Sequence, residues 1–391
     1  MRRRTTLWIF IVTLALISVG TVMVYSSSAA TAAYHQRRSL QKRSVGGIEK
    51  SVHFHDAAFL KKQLLWVGVS LVALLFFYYV ADYALLGRLS PFILGGSIIL
   101  LVLVLFLGRN INGSKRWLHF AGFTLQPSEF AKLALVIFMS HFLAEHKNKV
   151  KSFVRGFLPV LIILSFTLVL IIMEPDFGAT VIIGAIVFSI WFVAGLRIVH
   201  LSSLVIAGIP CVVLAIILWP YRLKRILAFL DPWKYPRTIG YQIIQSQIAV
   251  GTGGVTGKGL GAGMQKYHFL AESHTDFIFA IVAEEMGFIG AACVILLFVS
   301  LLYLGIRVAL RAKDYYTGLL ASGIVTMICL SAAVNLFVVL SMLPPKGLAL
   351  PFISYGGSSL LTNMIAVGIL LNISKATEEA WAPAAALKPA Y

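Results

Sequence analysis

The chain has 391 residues, of which 59% are hydrophobic and only 12% are charged, and its mean hydropathy is +0.89. A soluble domain carries about twice that charged fraction, so the composition excludes a water-soluble protein and predicts a polytopic membrane protein. The formal net charge of +18 is spread over the segments between apolar runs. Because no soluble basic domain carries it, nucleic acid is not an expected partner.

Ten apolar runs have roughly the 17 to 25 residues that a membrane-spanning helix needs. The expected fold is an all-α protein with ten transmembrane helices in one domain over residues 1–374, followed by a disordered cytoplasmic tail over residues 375–391. An even number of spans places both termini on one side, and Arg2, Arg3 and Arg4 predict that this side is the cytoplasm. The runs lie near residues 7–28, 63–80, 91–107, 127–144, 157–173, 179–195, 200–219, 277–305, 318–340 and 359–374.

The first run has two interpretations. A basic start followed by small residues at 28–33 imitates a cleavable signal peptide. However, the apolar core extends from about Leu7 to Tyr25, which is longer than the usual 7–15 residues. This length favours an uncleaved first helix, followed by an external loop over residues 29–62.

Two later external segments are unusually basic. One carries Lys115 and Arg116, and the largest, over residues 220–275 between the seventh and eighth helices, carries seven Lys and Arg residues. External positive charge can contact anionic headgroups. For these two segments an anionic substrate is at least as good an explanation.

The fourth run opens with QPSEFAK, residues 126–132. Pro127 suits the first helical position, and Glu129 suits a first turn, where the helix dipole favours an acid. Lys132 follows on the same face, about 4.5 Å deeper by helical rise. The pattern predicts an inward-facing ion pair between Glu129 and Lys132, while a simple dipole partner is the alternative for Glu129.

Four other carboxylates in or beside apolar runs are expected to be structural. Glu174 and Asp176 belong to the corner MEPDFG and are expected to cap helix ends. Glu284 and Glu285 lie inside the eighth run, where a buried polar network is the expected arrangement.

The segment 220–275 is predicted to contain a short amphipathic helix. Tyr241, Ile244 and Ile248 form an apolar stripe, with polar residues including Ser246 on the other side. A helix lying in the membrane interface fits this stripe, and so does a helix packed on the rim of the bundle.

The glycine-rich stretch GTGGVTGKGLGAG, residues 251–263, is not a nucleotide-binding loop. Lys258 is followed by Gly259 rather than by Ser or Thr, so the P-loop pattern fails. The stretch is predicted to be a flexible loop, and a cradle of N–H groups for a pyrophosphate is the alternative.

Asp276 is the strongest candidate for a catalytic residue, and an ordinary acid at the start of a helix is the alternative. It lies at the outer entrance of the eighth run, and 31 residues from Asp276 to Ile306 would make a helix of about 46 Å. This exceeds the roughly 30 Å hydrocarbon core, so the first turns are expected to project into a wet cavity. Partial desolvation there is expected to raise the pKa of the carboxyl from its ordinary 3.9.

An irregular segment, LPPKGLALPFISYGGSS at residues 343–359, separates the last two runs. Its prolines forbid a regular helix, and Gly356 and Gly357 allow close approach of the backbone. Because lipid cannot satisfy a broken backbone, this segment must pack in protein or line a wet cavity.

The sequence of residues 343–359 resembles the signature before the last transmembrane helix of the FtsW/RodA/SpoVE (SEDS) family, the membrane polymerases of the bacterial cell-wall precursor. The motif PSE-x-AK at residues 127–132 and HTDFIFA at residues 274–280 are also similar to that family. The pair Lys346-Gly347 is more similar to the division-type members than to the elongation-type ones. The resemblance extends from the first helix to about Lys375, and one departure is Ala271, where the family usually has Pro.

The resemblance implies a peptidoglycan glycosyltransferase that polymerises lipid II, a disaccharide-pentapeptide on a polyprenyl pyrophosphate, at the outer membrane face during septal cell-wall synthesis. Asp276 would be the base for an inverting transfer or, alternatively, a ligand of Mg²⁺ or Mn²⁺, with no organic cofactor. The implied substrate-binding residues are Lys132, Glu129, Lys115, Arg116, Lys346, Ser354, Gly356 and Gly357. The implied partners are a class B penicillin-binding transpeptidase and other membrane proteins of the division machinery.

Three alternatives stay open on the sequence. The first is a transporter that flips the lipid-linked precursor, although inverted repeats, which would favour it, are not evident. The second is an elongation-type polymerase of the same family. The third is a scaffold that only recruits partners, for which embedded charges such as Glu129, Lys132 and Asp276 have no use.

Overall fold

The computed structural model describes residues 4–44, 58–111, 114–120, 123–267, 269–270 and 272–380. These residues are mostly helical, as the apolar runs predict. The α-helices are α1 (Arg4–Ser44), α2 (Ala58–Tyr79), α3 (Tyr83–Leu107), α4 (Pro127–Glu145), α5 (Leu158–Met173), α6 (Phe177–Val193), α7 (Ile198–Ile217), α8 (Pro220–Leu230), α9 (Tyr241–Gly253), α10 (Ile278–Leu310), α11 (Tyr315–Val339) and α12 (Gly357–Ala380).

Within the described residues, eight helices are long and apolar enough to cross a membrane. They include α10, α11 and α12, and the span that ends in α5 starts with a π-helical turn at Phe153–Phe157. Two shorter apolar helices, α6 and α7, lie where the sequence predicts the sixth and seventh spans. Large apolar side chains such as Phe92 and Phe106 are exposed on the outside of the bundle. Because such surfaces suit lipid rather than water, the chain is a multi-pass membrane protein.

The prediction of a purely helical fold is wrong in one place. Three short antiparallel strands, β1 (Arg109–Ile111), β2 (Ser114–Phe120) and β3 (Phe123–Leu125), form a small sheet in the order β1-β2-β3 between α3 and α4. The strands are only 3, 7 and 3 residues long, which is too short for a clear alternating pattern in the sequence. The sheet places Arg116 of β2 and leads directly into α4.

Two predicted boundaries differ from the structure. α1 continues to Ser44, well beyond the predicted end of the first run, so part of the expected external loop 29–62 is helical. α12 continues to Ala380, so the predicted tail begins inside a helix. The remainder of that tail, residues 381–391, lies outside the described residues. In both cases a helix continues past its apolar stretch into polar sequence, which hydropathy does not detect.

The predicted short helix of the segment 220–275 is present as α9, but its buried face is different. Ser246, expected on the polar side, is fully buried, and its hydroxyl donates a hydrogen bond to the Val339 carbonyl at 2.7 Å. Gln247 is the exposed polar position instead. α9 contacts both α10 and α11, so the helix packed on the bundle is the reading that the structure supports.

α10 is not one continuous helix, contrary to the prediction for its 31-residue run. Its backbone breaks at Gly287, whose φ of 65° and ψ of −164° lie outside the helical region. The free carbonyl of Glu284 accepts a hydrogen bond from the Lys258 N–H, and that of Glu285 accepts one from the Gly259 N–H, both at 3.0 Å. The glycine-rich stretch therefore completes the hydrogen bonding of the first half of α10.

The glycine-rich stretch also completes the hydrogen bonding of the second half of α10. The N–H groups of Phe288 and Ile289 donate to the carbonyls of Gly254 and Val255 at 2.9 and 3.2 Å. A broken helix at membrane depth needs this satisfaction of its backbone groups. The flexible loop predicted for residues 251–263 is thus a fixed insert between the two halves of α10.

Candidate functional site

Asp276 lies just before α10, and the irregular segment 343–359 holds it there. Asn335 of α11 donates through its side-chain nitrogen to the Asp276 carbonyl at 2.8 Å and also to the carbonyl of Leu348. The Tyr355 N–H donates to the His274 carbonyl at 2.9 Å. The sequence around Asp276 and the segment 343–359 are therefore joined directly, as the need to pack a broken backbone predicts.

Ser354 supplies a further connection. Its hydroxyl donates to the Thr275 carbonyl and accepts from the Leu350 N–H at 2.8 Å. Ser354 is nearly fully buried by these contacts. The structure therefore gives this predicted substrate-binding residue a place in the support of the Asp276 segment.

Gly347 of the same segment approaches the carboxylate itself. A Cβ at this position would lie 2.9 Å from Oδ2 of Asp276, closer than ordinary contacts allow. Gly347 is exposed and Asp276 is half-buried. The lack of a side chain at Gly347 therefore allows the segment to approach the carboxylate closely.

The surroundings of Asp276 alter its acidity in the predicted direction. Burial, followed by the negative charges of Glu272 and Asp176, raises the pKa of the Asp276 carboxyl to about 7, against the opposing effect of Arg116 and Arg225. The predicted rise is confirmed. A carboxylate with this pKa can exchange a proton near neutral pH, as a general base requires.

Arg116 of β2 binds the corner between α5 and α6. Its guanidinium donates to the carbonyls of Glu174, at 3.2 Å, and Pro175, and lies 3.9 Å from a carboxylate oxygen of Asp176. Asp176 caps α6 by accepting from the Ala179 N–H at 3.0 Å, which confirms its predicted capping role. The corner is therefore an anchored pair of opposite charges within electrostatic reach of Asp276.

Glu174 occupies the C-cap of α5, as predicted, and its backbone N–H donates to the carbonyls of Leu170 and Ile171. Its carboxyl is fully buried, and neither oxygen has a hydrogen-bond partner among the described residues. Burial and the neighbouring charge of Asp176 raise the pKa of Glu174 to about 8, which Arg116 partly opposes. The carboxyl is therefore largely neutral at pH 7.

Lys346 lies against the start of α6, beside the same corner. Its ammonium is 5.3 Å from the centre of the Phe177 ring, and a Cβ added at Gly178 would be 3.1 Å from its Cε. Burial lowers the pKa of Lys346 to about 8, and the nearby Asp176 partly offsets this effect. Lys346 and Gly347 are adjacent in sequence, so the segment 343–359 places the Lys346 ammonium near Asp176 and Gly347 beside Asp276.

The predicted ion pair of α4 is present. The Lys132 ammonium lies 2.9 Å from a carboxylate oxygen of Glu129, and the two side chains are only 9% and 13% exposed. Hydrogen bonds join the start of α4 to α12. The Gln126 N–H donates to the Ser358 hydroxyl at 3.0 Å, and the Ser358 hydroxyl donates to the Thr124 carbonyl at 3.0 Å.

The remaining predicted site residues lie elsewhere. Lys115 is exposed on β2, where alternation of side chains turns it to the face opposite the half-buried Arg116. Gly357 starts α12, and a Cβ there would lie 2.1 Å from the Trp66 ring, so it permits close packing. Gly356 precedes it and is half-buried. Among the described residues, no contact joins Lys115, Gly356 or Gly357 to Asp276, so the structure does not group them with it.

Several residues of the site were not predicted. Arg225, on α8, hydrogen bonds to the Pro345 carbonyl at 3.4 Å and acts on the Asp276 charge. Asp176 was assigned only a capping role. Asn335 was detectable, because an amide inside an otherwise apolar helix is an uncommon and costly residue at membrane depth.

Glu284 and Glu285 form the predicted buried network, and their partners come from the glycine-rich stretch and beyond. Glu284 accepts from the Lys258 ammonium at 2.8 Å and from the N–H groups of Met264 and Gln265 at 2.9 and 3.1 Å. Lys258 belongs to the glycine-rich stretch 251–263, and Met264 and Gln265 directly follow it. These contacts hold the stretch against α10.

Glu285 extends this network to α1. It accepts from the Lys266 ammonium at 2.6 Å, from the Ser26 hydroxyl at 2.8 Å and from the Gly261 N–H at 3.0 Å. Lys266 is 2% exposed. A buried carboxylate with this many donors is well satisfied, which supports the structural role expected for it.

The fold and the site together define a polytopic membrane protein that holds a carboxylate of raised pKa among cations, on irregular loops outside its spans. The model of a family described as "Cell cycle protein", comprising FtsW, RodA and SpoVE, matches residues 6–379. The chain belongs to this family.

Curated relatives cover almost the whole chain. It is 43% identical over 373 residues to "Stage V sporulation protein E" of Bacillus subtilis (strain 168), which covers 94% of this chain and 96% of the relative. It is 42% identical over 369 residues to "Probable peptidoglycan glycosyltransferase FtsW" of Trichlorobacter lovleyi, with 94% and 92% covered.

Solved structures share the fold. A chain from "Structural coordination of polymerization and crosslinking by a peptidoglycan synthase complex" has a TM-score of 0.74 and 26% identity, covering 94% of this chain and 97% of the other. The rod shape determining protein RodA of Thermus thermophilus has a TM-score of 0.66 and 25% identity, with 94% and 95% covered.

Proposed function

We propose that this protein is a peptidoglycan glycosyltransferase of the division type that polymerises lipid II. The observation that carries the proposal is the half-buried Asp276, with a pKa of about 7, beside a corner that holds Arg116 and Lys346. Relatives named "Probable peptidoglycan glycosyltransferase FtsW" are 40% to 42% identical to the chain, and they support the same activity. The polyprenyl tail of the substrate would lie in apolar grooves between helices.

In the proposed reaction, the C4 hydroxyl of one lipid II unit attacks the anomeric carbon of the growing chain. Asp276 accepts the hydroxyl proton while the new glycosidic bond forms with inversion. The bond from the anomeric carbon to the pyrophosphate oxygen breaks, and its electron pair leaves with the polyprenyl pyrophosphate. A glycosidase uses a second carboxylic acid to protonate its leaving oxygen. Pyrophosphate leaves as an anion, so cations suffice.

Arg116, Arg225 and Lys346 are the cations that the structure offers for this anion. Arg116 and Arg225 already act on the Asp276 charge, and each guanidinium can bind phosphate oxygens in bidentate fashion. We also propose substrate contacts for the paired Glu129 and Lys132 and for the exposed Lys115. Ser354, Gly356 and Gly357 are proposed to shape the site through the backbone they support.

A divalent cation is a further proposal. Mg²⁺ is commonly held by one or two carboxylates together with substrate phosphates, and Asp276 with its neighbour Asp176 suits this arrangement. In the described part of the chain, no group of three or more metal-ligating side chains is found. A bound Mg²⁺ or Mn²⁺ would supply charge neutralisation for the leaving pyrophosphate.

The topology that fits this function has ten spans, with α6 and α7 included. Both termini would be cytoplasmic, and residues 220–275 and Asp276 would face outward, where the lipid-linked precursor is polymerised. The proposed place is the division septum. The proposed partners are a class B penicillin-binding transpeptidase and other division proteins, and a structural relative that belongs to a peptidoglycan synthase complex supports such a partner.

The test is polymerisation of lipid II by the purified protein, alone and with its transpeptidase partner. Asp276→Asn keeps the shape of the side chain but removes the base, so polymer formation is expected to fall roughly 10²-fold or more. Asp231→Asn is the matched control, because Asp231 is an exposed acid of the same external segment. Near-normal polymerisation by Asp276→Asn would contradict the catalytic role. Movement of lipid II across vesicles without polymerisation by the wild type would favour a transporter.

A further inference from the structure

A cavity of about 210 Å³ lies at the other end of the bundle from the Asp276 site, where α1, α10 and α12 meet. The span of α1 begins at Thr5, and the spans of α10 and α12 end at Leu310 and Glu379. This cavity therefore lies at the membrane surface on the side of both termini. Its lining residues are Thr5, Arg307, Val308, Arg311, Ser374, Thr377 and Glu378.

The charge in this cavity is not internally balanced. Arg307 is half-buried in the last turn of α10, and Arg311 follows it one turn later. In the part of the chain that the structure describes, neither arginine forms an ion pair with a carboxylate. The dipole of α10 favours cations at this end, but it does not account for a cavity that two arginines share.

Among the described residues that line the cavity, the one carboxylate is already engaged. Glu378 accepts a hydrogen bond from the Thr6 N–H at the start of α1, at 3.3 Å. The hydroxyls of Thr6 and Ser374 bond to each other at 2.8 Å, which fixes α1 against α12. Lys375 turns away, since its ammonium lies 5.8 Å from the centre of the Tyr78 ring on α2.

The Arg307 guanidinium lies 5.6 Å from the centre of the Tyr303 ring. Arg307 and Arg311 are the cationic side chains in the lining, and an anion fits them.

The position of the cavity beside lipid-facing side chains favours an anion that belongs to a lipid. Leu7 and Trp8 of α1 and Leu310 of α10 are all more than half exposed on the outside of the bundle. A ligand with its phosphate in the cavity can therefore keep acyl chains against these surfaces. Drug-sized ligands need pockets of roughly 300–1,000 Å³, so this smaller cavity suits a headgroup.

We propose that this cavity, the headgroup pocket, binds the phosphate of a membrane glycerophospholipid through Arg307 and Arg311. Guanidinium groups bind phosphate oxygens through charge-assisted hydrogen bonds, and basic pockets between transmembrane helices are known to bind lipid headgroups. Such a lipid would join α1 to α10 and α12 at the opposite end from the proposed catalytic residues.

The test is native mass spectrometry of the detergent-purified full chain, titrated with dioleoyl phosphatidylglycerol. The wild type is expected to retain one lipid more strongly than the rest, and Arg307→Gln with Arg311→Gln to weaken that first binding roughly tenfold or more. Lys313→Gln removes an exposed cation of the adjacent loop and is expected to bind like the wild type. Equal binding by the double variant, or an equal loss in Lys313→Gln, would overturn the proposal.

Two further arms use the wild-type protein, so they decide the matter even if the double variant does not fold. Dioleoylglycerol has the same chains without the phosphate and is expected to bind at least tenfold more weakly. Millimolar inorganic phosphate is expected to leave the bound lipid in place. Equal retention of dioleoylglycerol would refute a phosphate site, and displacement by phosphate would refute the lipid in favour of a free anion.

Discussion

Gly347 offers the most direct test of how the segment 343–359 serves Asp276. In Gly347→Ala the new Cβ would lie 2.9 Å from Oδ2 of Asp276, whereas ordinary contacts begin at 3.4 Å. The carboxylate must therefore move by about half an ångström. Misplacement of a reacting group by about 1 Å can lower a rate 10²-fold, so a loss of roughly tenfold in kcat is expected.

Folding should not change, because Gly347 is exposed and does not have a positive φ that would strain an alanine. The assay is the rate of lipid II polymerisation, with thermal unfolding measured on the same samples. Gly251→Ala is the matched control, since Gly251 is an exposed glycine of α9 with no atom within 4 Å of a new Cβ. A wild-type rate for Gly347→Ala, or the same loss in Gly251→Ala, would refute the proposed contact.

Three other predictions follow from the site and the topology. First, the rate of polymerisation should rise with pH and level off above about 7, because Asp276 must be ionised to accept a proton and its pKa is raised to about 7; a profile that levels off near pH 4 would contradict this. Second, Lys132→Ala should lose more activity than Glu129→Gln if the buried ammonium contacts the anionic substrate; a wild-type rate for Lys132→Ala in the polymerisation assay would leave the pair only a structural role. Third, Gln247→Cys should react with an impermeant maleimide in intact spheroplasts, whereas the buried Ser246→Cys should not; labelling of Gln247→Cys only after lysis would reverse the proposed orientation.

The sequence predicted the class of fold and the main candidate residue because hydropathy and charge are strong signals in a membrane protein. Apolar runs predict the helices, and charges such as Asp276 and Lys132 are conspicuous because they are costly there. The limits of the prediction lie where neither signal applies. The strands around Arg116 are too short to show a period, and the break of α10 at Gly287 occurs within an uninterrupted apolar run.

The partners within the site could not be read from the sequence for a related reason. Arg116 and Asp176 are about 60 positions apart in the chain, and no local pattern connects them. The prediction of the buried face of α9 was wrong because the Ser246 hydroxyl donates a hydrogen bond to a carbonyl of another helix. A small hydroxyl can be buried wherever a backbone acceptor is available, so polarity alone did not indicate exposure.

The adjacent positions 346 and 347 explain how separate parts of the chain can act together. Lys346 lies near Asp176 and the start of α6, while Gly347 approaches the Asp276 carboxylate. A displacement of this short segment would therefore move Lys346, the proposed cation for the leaving group, and alter the surroundings of Asp276, the proposed base, at once. Because Asn335 holds both Leu348 and the Asp276 backbone, the segment is fixed in the arrangement where both groups are in place. The irregular backbone between the last two spans thus sets the relative position of Asp276 and Lys346, which neither helix could do alone.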